Sequence, residues 1–429
     1  MAGDGRWIVR LNPAGGHVPA KRISTRQYRA IRQSAARMER EAMQLPAYLD
    51  DIKPFRAVEI FQAARLLEAK GRNVVHLEFG EPDFPTPPVV QEAAIRAIQA
   101  GHTRYTHSMG LVELREAICA FHKNRYGVSV HPDQVLVSMG TSILMHLLML
   151  MLLEPGDEVI VTDPTYACYS SFIRIARGIP VTVPIREQDG FQIDAAEVRK
   201  RITPRTKAIL VCSPANPTGV VMRPDTMRAV AELGLPVISD EIYHGLTYGN
   251  GAAGQSPDKT MLSFTPNTFV LNGFSKYFAM TGWRLGYVIF PREVLGAIMK
   301  LHQNVMISAA DFPQHAAIAA LQHAIPDCER YRAEYDRRRI FMVQRLAEIG
   351  LPLKYEPAGA FYCFANASAY GRDSMRLALD ILEQAGVAVT PGSDFGAGGE
   401  GYLRFSYANS LENIAEGLNR IERYLKARA

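Results

Sequence analysis

The sequence predicts an α/β protein in which helices cover both faces of a mostly parallel sheet, with a smaller α/β domain after it. Six short apolar runs rich in β-branched residues recur between residues 135 and 289, and helical stretches such as residues 111–126 and 225–233 lie between them. After about residue 326 a long polar helical stretch changes this rhythm. Buried strands that alternate with helices are typical of a parallel sheet with two covered faces.

The individual elements follow from apolar periodicity. A helix over residues 57–69 is ended by Gly71. The strands of the sheet are predicted at residues 135–138, 159–162, 208–212, 237–239, 269–271 and 285–289. The later elements are a helix over residues 327–349, a strand over 360–365, a helix from Met375, a strand over 402–407 and a helix from Leu411. The predicted domain boundaries are 1–50 for a basic extension, 51–85 for an N-terminal segment, 86–325 for a large domain and 326–429 for a small C-terminal domain.

The net charge of +5 is concentrated at the N-terminal end of the chain. Between Met1 and Arg40 there are nine Lys or Arg residues and two acids, whereas the rest of the chain is close to neutral. Segments of this kind occur as nucleic-acid-binding arms or as organelle transit peptides. The same composition is also compatible with a solvated, partly ordered extension or with translation from an upstream start codon. For the body of the protein, the balanced charge predicts no nucleic-acid surface.

The strongest apolar run, residues 143–153, contains His146 and is too short to span a bilayer. We therefore expect a buried helix and no membrane partner. No apolar segment of a secretory signal is recognisable near Met1. The five cysteines are scattered without CxxC spacing, which favours a reducing cytoplasm over a disulfide framework and excludes a cysteine zinc site. We expect no metal, and we interpret His76, His146 and His244 as structural or solvent-facing.

The most informative segment is residues 272–286, which have the sequence NGFSKYFAMTGWRLG. It combines the Lys276 amine with neighbouring hydroxyls, with glycines that let backbone come close, and with Arg284. An amine that forms an imine with an aldehyde cofactor needs such a setting beside an anchored phosphate. Lys276 is therefore the candidate catalytic residue.

A second segment, residues 138–142 with the sequence SMGTS, follows a predicted strand and opens the apolar helix. Helix N-termini bind anions through backbone N–H groups. Gly140 allows close approach of the backbone, and Thr141 and Ser142 add hydroxyl donors. Ser275 and Arg284 would strengthen such an anion site, since the planar guanidinium can bind a phosphate through two hydrogen bonds.

A third candidate is Asp240, at the C-terminal end of the apolar run 237–239, where α/β sheets bind their ligands. A buried carboxylate there would favour the protonated form of a ligand nitrogen beside it by opposite charge. An unpaired buried aspartate is costly, so we expect a cationic partner.

These motifs resemble those of the class I aminotransferases, the fold-type I enzymes that use pyridoxal 5′-phosphate. The resemblance covers roughly residue 55 to the C-terminus, and it implies that the helix near residues 55–68 packs with the small domain. It also implies a homodimer with both active sites at the subunit interface. One position departs from the pattern, because many members carry serine where this chain has Gly273.

The resemblance implies roles for individual residues. Arg284 would bind the cofactor phosphate, and Tyr105 would reach the phosphate of the neighbouring subunit. Tyr166 would stack on the cofactor ring, whose phenolate oxygen Tyr243 would contact. The remaining implied contacts are Asn216, of the SPANPTG segment at 213–219, with the phenolate oxygen and substrate, Gly80 with the substrate, Arg404 with the substrate α-carboxylate, and Phe361 near the pocket.

The implied function is transfer of an amino group from an L-amino acid to a 2-oxo acid. The reaction would follow a ping-pong scheme through a Lys276 imine, with Lys276 also moving the Cα proton. A β-lyase acting on C–S bonds or a cyclopropane-forming synthase would use the same residues. A regulatory protein with an aminotransferase-like effector domain is a rival from another class. The amino-acid side chain and the acceptor are left open.

Overall fold

A computed structural model describes residues 6–7, 22–23, 45–249 and 258–428. The chain divides into two compact units, Met1–Ile52 and Lys53–Ala429. The first unit contains an antiparallel strand pair and a short 3₁₀ helix, Ala47–Asp51. Most of the predicted basic extension lies outside the described residues.

The strands, in chain order, are β1 Arg6–Trp7, β2 Arg22–Ile23, β3 Val75–His76, β4 Val135–Ser138, β5 Glu158–Asp163, β6 Ile179–Pro184, β7 Thr206–Cys212, β8 Val237–Asp240, β9 Thr268–Gly273, β10 Gly286–Ile289, β11 Tyr362–Asn366, β12 Val387–Ala388, β13 Thr390–Pro391 and β14 Tyr402–Ser406. The described α-helices are α1 Arg56–Glu68, α2 Pro88–Gln99, α3 Val112–Tyr126, α4 Thr141–Leu152, α5 Cys168–Ile175, α6 Ala195–Arg199, α7 Pro224–Ala231, α8 Leu295–Val305, α9 Asp311–His323, α10 Ile325–Glu348, α11 Ser374–Ala385 and α12 Leu411–Lys426.

The second unit is built around a seven-stranded sheet with the order β4-β10-β9-β8-β7-β5-β6. All neighbours are parallel except β10, which runs antiparallel to both β4 and β9. The predicted α/β fold with a mostly parallel sheet is therefore confirmed, and each of the six predicted strands is present. The prediction missed β6, an edge strand that contains Pro180 and Pro184. Proline is tolerated at a sheet edge, where its missing N–H breaks no ladder.

The sheet separates two apolar cores. Along β7, Ile209 and Val211 belong to one core, whereas Leu210 belongs to the other. This alternation follows from the two-residue period of a strand. Helix α3 contributes Leu114 to the first core and α4 contributes Leu144 to the second. Burial on both faces explains why the central strands are apolar at nearly every position.

The apolar run at residues 143–153 forms α4, which has 12 residues. It is a buried core helix, as predicted. Among the described residues, none of the helices has both the length and the apolar character that crossing a bilayer requires.

The C-terminal residues form a three-stranded antiparallel sheet with the order β11-β14-β13. The N-terminal β3 pairs in parallel with β12, with Val75 opposite Val387. Helix α1 contacts the same region, where the backbone N–H of Arg56 donates to Asp394 Oδ1 at 2.9 Å. Segments that precede and follow the large sheet in the sequence thus pack together. The domain boundaries at 85 and 325 stay predictions.

The stability of the region where β3 and α1 pack against the C-terminal residues is expected to depend on pH through His76. Its Nδ1 lies 2.7 Å from Glu78 Oε1 and its Nε2 lies 3.1 Å from Glu68 Oε1. The hydrogen bond with the buried Glu78 is the largest cause that raises the pKa of His76 to about 9. The folded protein therefore keeps a proton that the unfolded chain releases above its ordinary pKa of about 6.5.

As pH rises from 6.5 through 9, the free energy of unfolding should fall as this proton is lost. We expect a fall of about 2 kcal/mol, since solvent screening at the partly exposed His76 reduces the effect of its pKa shift. His76→Gln should flatten this dependence, whereas His323→Gln, at an exposed position, should leave it unchanged. Melting temperatures at pH 6 and pH 9.5 measure it. An equal slope in the wild type and His76→Gln would contradict the prediction.

Candidate active site

A cavity of about 340 Å³ opens at the carboxyl ends of the central parallel strands. Asp240 ends β8, and the segments that carry Asn216 and Lys276 follow β7 and β9. Because these strands are parallel, their carboxyl ends meet at one sheet edge. The predicted site residues that line the cavity are Gly80, Thr141, Ser142, Tyr166, Asn216, Asp240, Tyr243, Ser275, Lys276, Arg284 and Arg404. Gly140 lies next to this set, and Tyr105 lies outside it.

The Lys276 amine points into the cavity and donates a hydrogen bond to the Gly80 carbonyl oxygen at 2.6 Å. Burial disfavours its charged form, and with Arg404 and Arg284 nearby it lowers the pKa of Lys276 to about 8. Above that pH the amine is mostly neutral and able to act as a nucleophile or a base.

Position 80 has no room for a side chain, so it requires glycine. A Cβ at this position would lie 1.8 Å from Oη of Tyr362, so any other residue would displace that ring. The absence of a side chain lets the carbonyl group of Gly80 reach the lysine.

Asp240 is 8% exposed and is held by two donors. The hydroxyl of Tyr169 donates to Oδ2 at 2.7 Å, and the N–H of Ile242 donates to Oδ1 at 3.2 Å. Burial raises the pKa of Asp240, against the lowering effect of the Tyr169 hydrogen bond. The nearby Lys276 amine and His244 also lower it through their charge. The carboxylate lines the same cavity as the Lys276 amine.

Tyr169 was not predicted as a site residue. It lies three residues after Tyr166, on the first turn of α5, and the two rings meet edge to face with centroids 5.3 Å apart. The sequence signal that could have identified Tyr169 is its position three residues after Tyr166, since residues spaced i and i+3 near a helix start can lie side by side. Phe55 also contacts Tyr166, with ring centroids 6.2 Å apart.

Arg404 is 3% exposed, and its described hydrogen-bond partners are all uncharged. Nη1 donates to Asn216 Oδ1 at 2.8 Å, and Nη2 donates to the carbonyl oxygen of Glu78 at 2.6 Å and to Thr390 Oγ1 at 3.1 Å. The guanidinium also lies over Tyr362, 4.4 Å from the ring centroid. A buried cation whose contacts are neutral is set up to bind an anion.

Tyr243 forms a hydroxyl pair with Tyr362, with 2.9 Å between the two oxygens. Tyr362 lines the cavity, whereas the neighbouring Phe361 is fully buried beneath it, with its ring centroid 5.8 Å from Lys276 Nζ. Tyr362, which was not predicted as a site residue, therefore lies on the cavity wall, and Phe361 lies behind it near Lys276.

The other end of the cavity has the groups that an anion needs. Gly140 is the N-cap of α4 and has a φ of 83°. A Cβ there would meet Nη2 of Arg284 at 2.7 Å, so the glycine leaves room for this guanidinium. Thr141, Ser142 and Ser275 complete this end, and Arg284 itself is exposed at the rim.

Three further predictions concern Tyr105, His244 and the cysteines, of which Cys212 lines the cavity. Tyr105 is 81% exposed and does not contact the cavity of its own chain. His244 is buried with Nδ1 2.9 Å from the Tyr126 hydroxyl, which is a structural role. All five cysteines are free thiols, as expected without a disulfide framework.

The donor set fits pyridoxal 5′-phosphate. A dianion would be held by the α4 N-terminus, Ser275 and Arg284. At the opposite end, Asp240 would face the ring nitrogen, and Asn216 and Tyr243 would face the phenolate oxygen. The Asp240 carboxylate and the Lys276 amine on one cavity are the features that suit such a ligand.

Comparison with known proteins agrees with this interpretation. The model of the class I and II aminotransferase family matches residues 72–421. An aspartate aminotransferase of Pyrococcus horikoshii is 39% identical over 383 residues, covering 87% of this chain and 95% of the relative. A (5-formylfuran-3-yl)methyl phosphate transaminase of Methanocaldococcus jannaschii is 38% identical over 379 residues, covering 87% of this chain and 98% of the relative.

Among solved structures, an aspartate aminotransferase of Thermus thermophilus with maleate has a TM-score of 0.83 and 38% identity, covering 88% of this chain and 99% of that chain. The family model covers most of the second unit and all of the cavity-lining residues except Phe55, Ala57 and Val58. The chain therefore belongs to the class I and II aminotransferases, and it is a pyridoxal phosphate-dependent aminotransferase of fold type I.

Proposed function

We propose that this aminotransferase moves an amino group from an L-amino acid to a 2-oxo acid in a ping-pong cycle, with Lys276 as the catalytic residue. The observation that supports it is that Lys276, Asp240 and Arg404 all line one cavity. Pyridoxal phosphate supplies an aldehyde that accepts the amino group and a ring that withdraws electrons from the substrate Cα. The chain supplies the binding, orientation and proton transfer.

Lys276 carries the proton in this proposal. A base works best when its pKa lies near the operating pH, and a lysine pKa of about 8 meets that condition. The Gly80 carbonyl oxygen, 2.6 Å away, would orient the free amine toward the cavity. Asp240 would hold a positive charge on the ring nitrogen, with Tyr169 fixing the orientation of the carboxylate.

Arg404 would bind the α-carboxylate of both the amino acid and the 2-oxo acid. Its position is fixed before substrate arrives, because Asn216, Glu78 and Thr390 already hold the Nη atoms. A fixed guanidinium costs little further entropy when it binds a carboxylate.

Arg404→Lys should raise KM for donor and acceptor about 10- to 100-fold, with a smaller fall in kcat. Lysine keeps the charge but loses the planar fork and its charge-assisted hydrogen bonds. Steady-state kinetics with both substrates measures the effect, and Arg420→Lys, on the far helix α12, is the control. A variant with unchanged KM values would exclude Arg404 as the carboxylate anchor.

We propose a preference for the side chain of the amino-acid donor from the apolar residues of the cavity wall beside Gly80. Phe55, Val58 and Phe79 line it, and Val58 and Phe79 are 38% and 43% exposed. The cations that line the described cavity are Lys276, Arg284 and Arg404, each with a role above. An apolar or aromatic donor would bury this wall, whereas a dicarboxylic donor needs another cation. The names of the two relatives differ in substrate, so they do not select one.

The test is a half-reaction screen of the holoenzyme against single L-amino acids without an acceptor. The absorbance of the bound cofactor and the 2-oxo acid formed are both measured. Stoichiometric conversion to the pyridoxamine form supports the proposal and ranks apolar, aromatic and acidic donors. Catalytic release of pyruvate and ammonia, with the cofactor absorbance retained, would instead identify a C–S β-lyase.

The proposal includes a homodimer in which Tyr105 reaches the phosphate end of the partner site. Its support is the 81% exposure of Tyr105 and its position outside the cavity of its own chain. Sedimentation should give a dimer, and Tyr105→Phe should weaken cofactor retention. A cytoplasmic location is proposed from the five free thiols.

A further inference from the structure

Three side chains away from the active-site cavity have the composition of a metal site. Asp311 is the first residue of α9, and His315 lies one turn along the same helix face. His102 follows α2, where Gly101 has a φ of 85° and the His102 N–H donates to the Ala97 carbonyl oxygen at 3.0 Å. Because α2 and α9 pack against each other, this helix end brings His102 to the start of α9.

The distances suit one shared cation. Nε2 of His315 lies 3.2 Å from Asp311 Oδ1, and Nδ1 of His102 lies 3.5 Å from Asp311 Oδ2. One ligand atom from each residue falls within 4.8 Å of the others. Metal bonds of about 2.1 Å at a tetrahedral angle separate two ligand atoms by about 3.4 Å. The widest spacing can close by rotation of His102, whose side chain is 44% exposed.

Two of the ligand atoms are buried without a hydrogen-bond partner in the described part of the chain. They are Oδ1 of Asp311 and Nε2 of His315. The Asp311 side chain is only 10% exposed, so water reaches it poorly. An unsatisfied carboxylate oxygen in such a place is costly, and a cation between the two atoms would satisfy both.

We propose that His102, Asp311 and His315 bind one divalent transition-metal ion of the Zn²⁺ class, with solvent completing its coordination. Two imidazoles and a carboxylate suit Zn²⁺ or Co²⁺, whereas Mg²⁺ and Ca²⁺ favour sites built only from oxygen. The sequence analysis predicted no metal site, because His102 is far in sequence from the other two ligands. Only Asp311 and His315, at i and i+4 of one helix, could be recognised as a pair.

The site would fasten the loop that carries Tyr105. His102 begins this loop, and Thr106 is already attached to the α9 end, since Gln314 Nε2 donates to Thr106 Oγ1 at 3.1 Å. The Thr106 N–H also donates to Ser308 Oγ at 3.3 Å. A metal ion would add a stronger attachment on the other side of Tyr105. None of the three ligands is among the residues lining the active-site cavity, so the role is structural.

The experiment is a Zn²⁺ titration of the holoenzyme, first dialysed against EDTA, in competition with a chromophoric chelator. The variants are His102→Ala, Asp311→Asn and His315→Ala, and the control is His323→Ala, an exposed histidine on the same helix. The wild type and the control should bind one equivalent, and excess Mg²⁺ should not compete. Each ligand variant should lose at least about 100-fold in affinity, more than the loss of an outer-shell partner causes.

Replacing Zn²⁺ with Co²⁺ gives a second readout, because visible absorption bands of Co²⁺ report nitrogen and oxygen ligands. The bands should appear in the wild type and be lost in His102→Ala, which should stay folded because the His102 side chain is 44% exposed. No stoichiometric uptake by the wild type would overturn the proposal. An affinity equal to that of the wild type in all three ligand variants would also overturn it, because the metal would then bind elsewhere.

Discussion

Lys276→Ala is expected to lower kcat by at least about 10⁴-fold, because it removes both the covalent attachment point and the proton carrier. The melting temperature should change little, since the amine has one described hydrogen bond, to the Gly80 carbonyl oxygen. Single-turnover measurements with the best donor from the half-reaction screen give the size of the loss.

Lys276→Arg is the matched control for charge. Arginine keeps a cation near Asp240, but its pKa prevents it from acting as a neutral amine at ordinary pH. It should be as inactive as the alanine variant. Near-normal turnover in either variant would remove Lys276 from the mechanism.

Asp240→Asn is expected to lower kcat about 10²- to 10³-fold with little change in KM. The substitution keeps the shape but removes the charge that would stabilise a protonated ring nitrogen, and losing one preorganised electrostatic contact costs about this much. The Tyr169 hydroxyl, 2.7 Å away, can still hydrogen-bond to the amide oxygen, so the fold should survive.

The neighbouring Glu241 supplies a matched control. It is fully buried and accepts hydrogen bonds from Ser239 Oγ at 2.9 Å and from the N–H of Met261 at 2.8 Å. It does not line the cavity. Glu241→Gln should lower the melting temperature while kcat stays within about threefold of the wild type, since it removes no contact to the reacting groups. Equal kcat losses in Asp240→Asn and Glu241→Gln would mean that the effect is structural.

The sheet and most of the cavity could be predicted because their signals are local. β-branched runs mark the buried strands, and Lys276, Asn216 and Asp240 follow strands that end at one edge. The antiparallel direction of β10 could not be predicted, because strand direction depends on pairing with β4 and β9 rather than on composition.

Contacts between segments that are distant in the chain could likewise not be predicted from the sequence. Tyr362 enters the cavity because β11 pairs with β14, which sets Phe364 opposite Arg404. The period of two then puts Tyr362 on the same face as Arg404. The prediction that Tyr105 serves the partner subunit depends on an assembly, so it is a matter for experiment.

The preset guanidinium of Arg404 has a kinetic consequence. Under the proposed roles, one anchor serves the amino acid and the 2-oxo acid in turn, so each can also occupy the enzyme form meant for the other. An excess of acceptor would bind the aldehyde form, and an excess of donor would bind the amine form, with no onward reaction in either case. The enzyme should then show mutual substrate inhibition, with the highest flux where the two substrate concentrations are balanced.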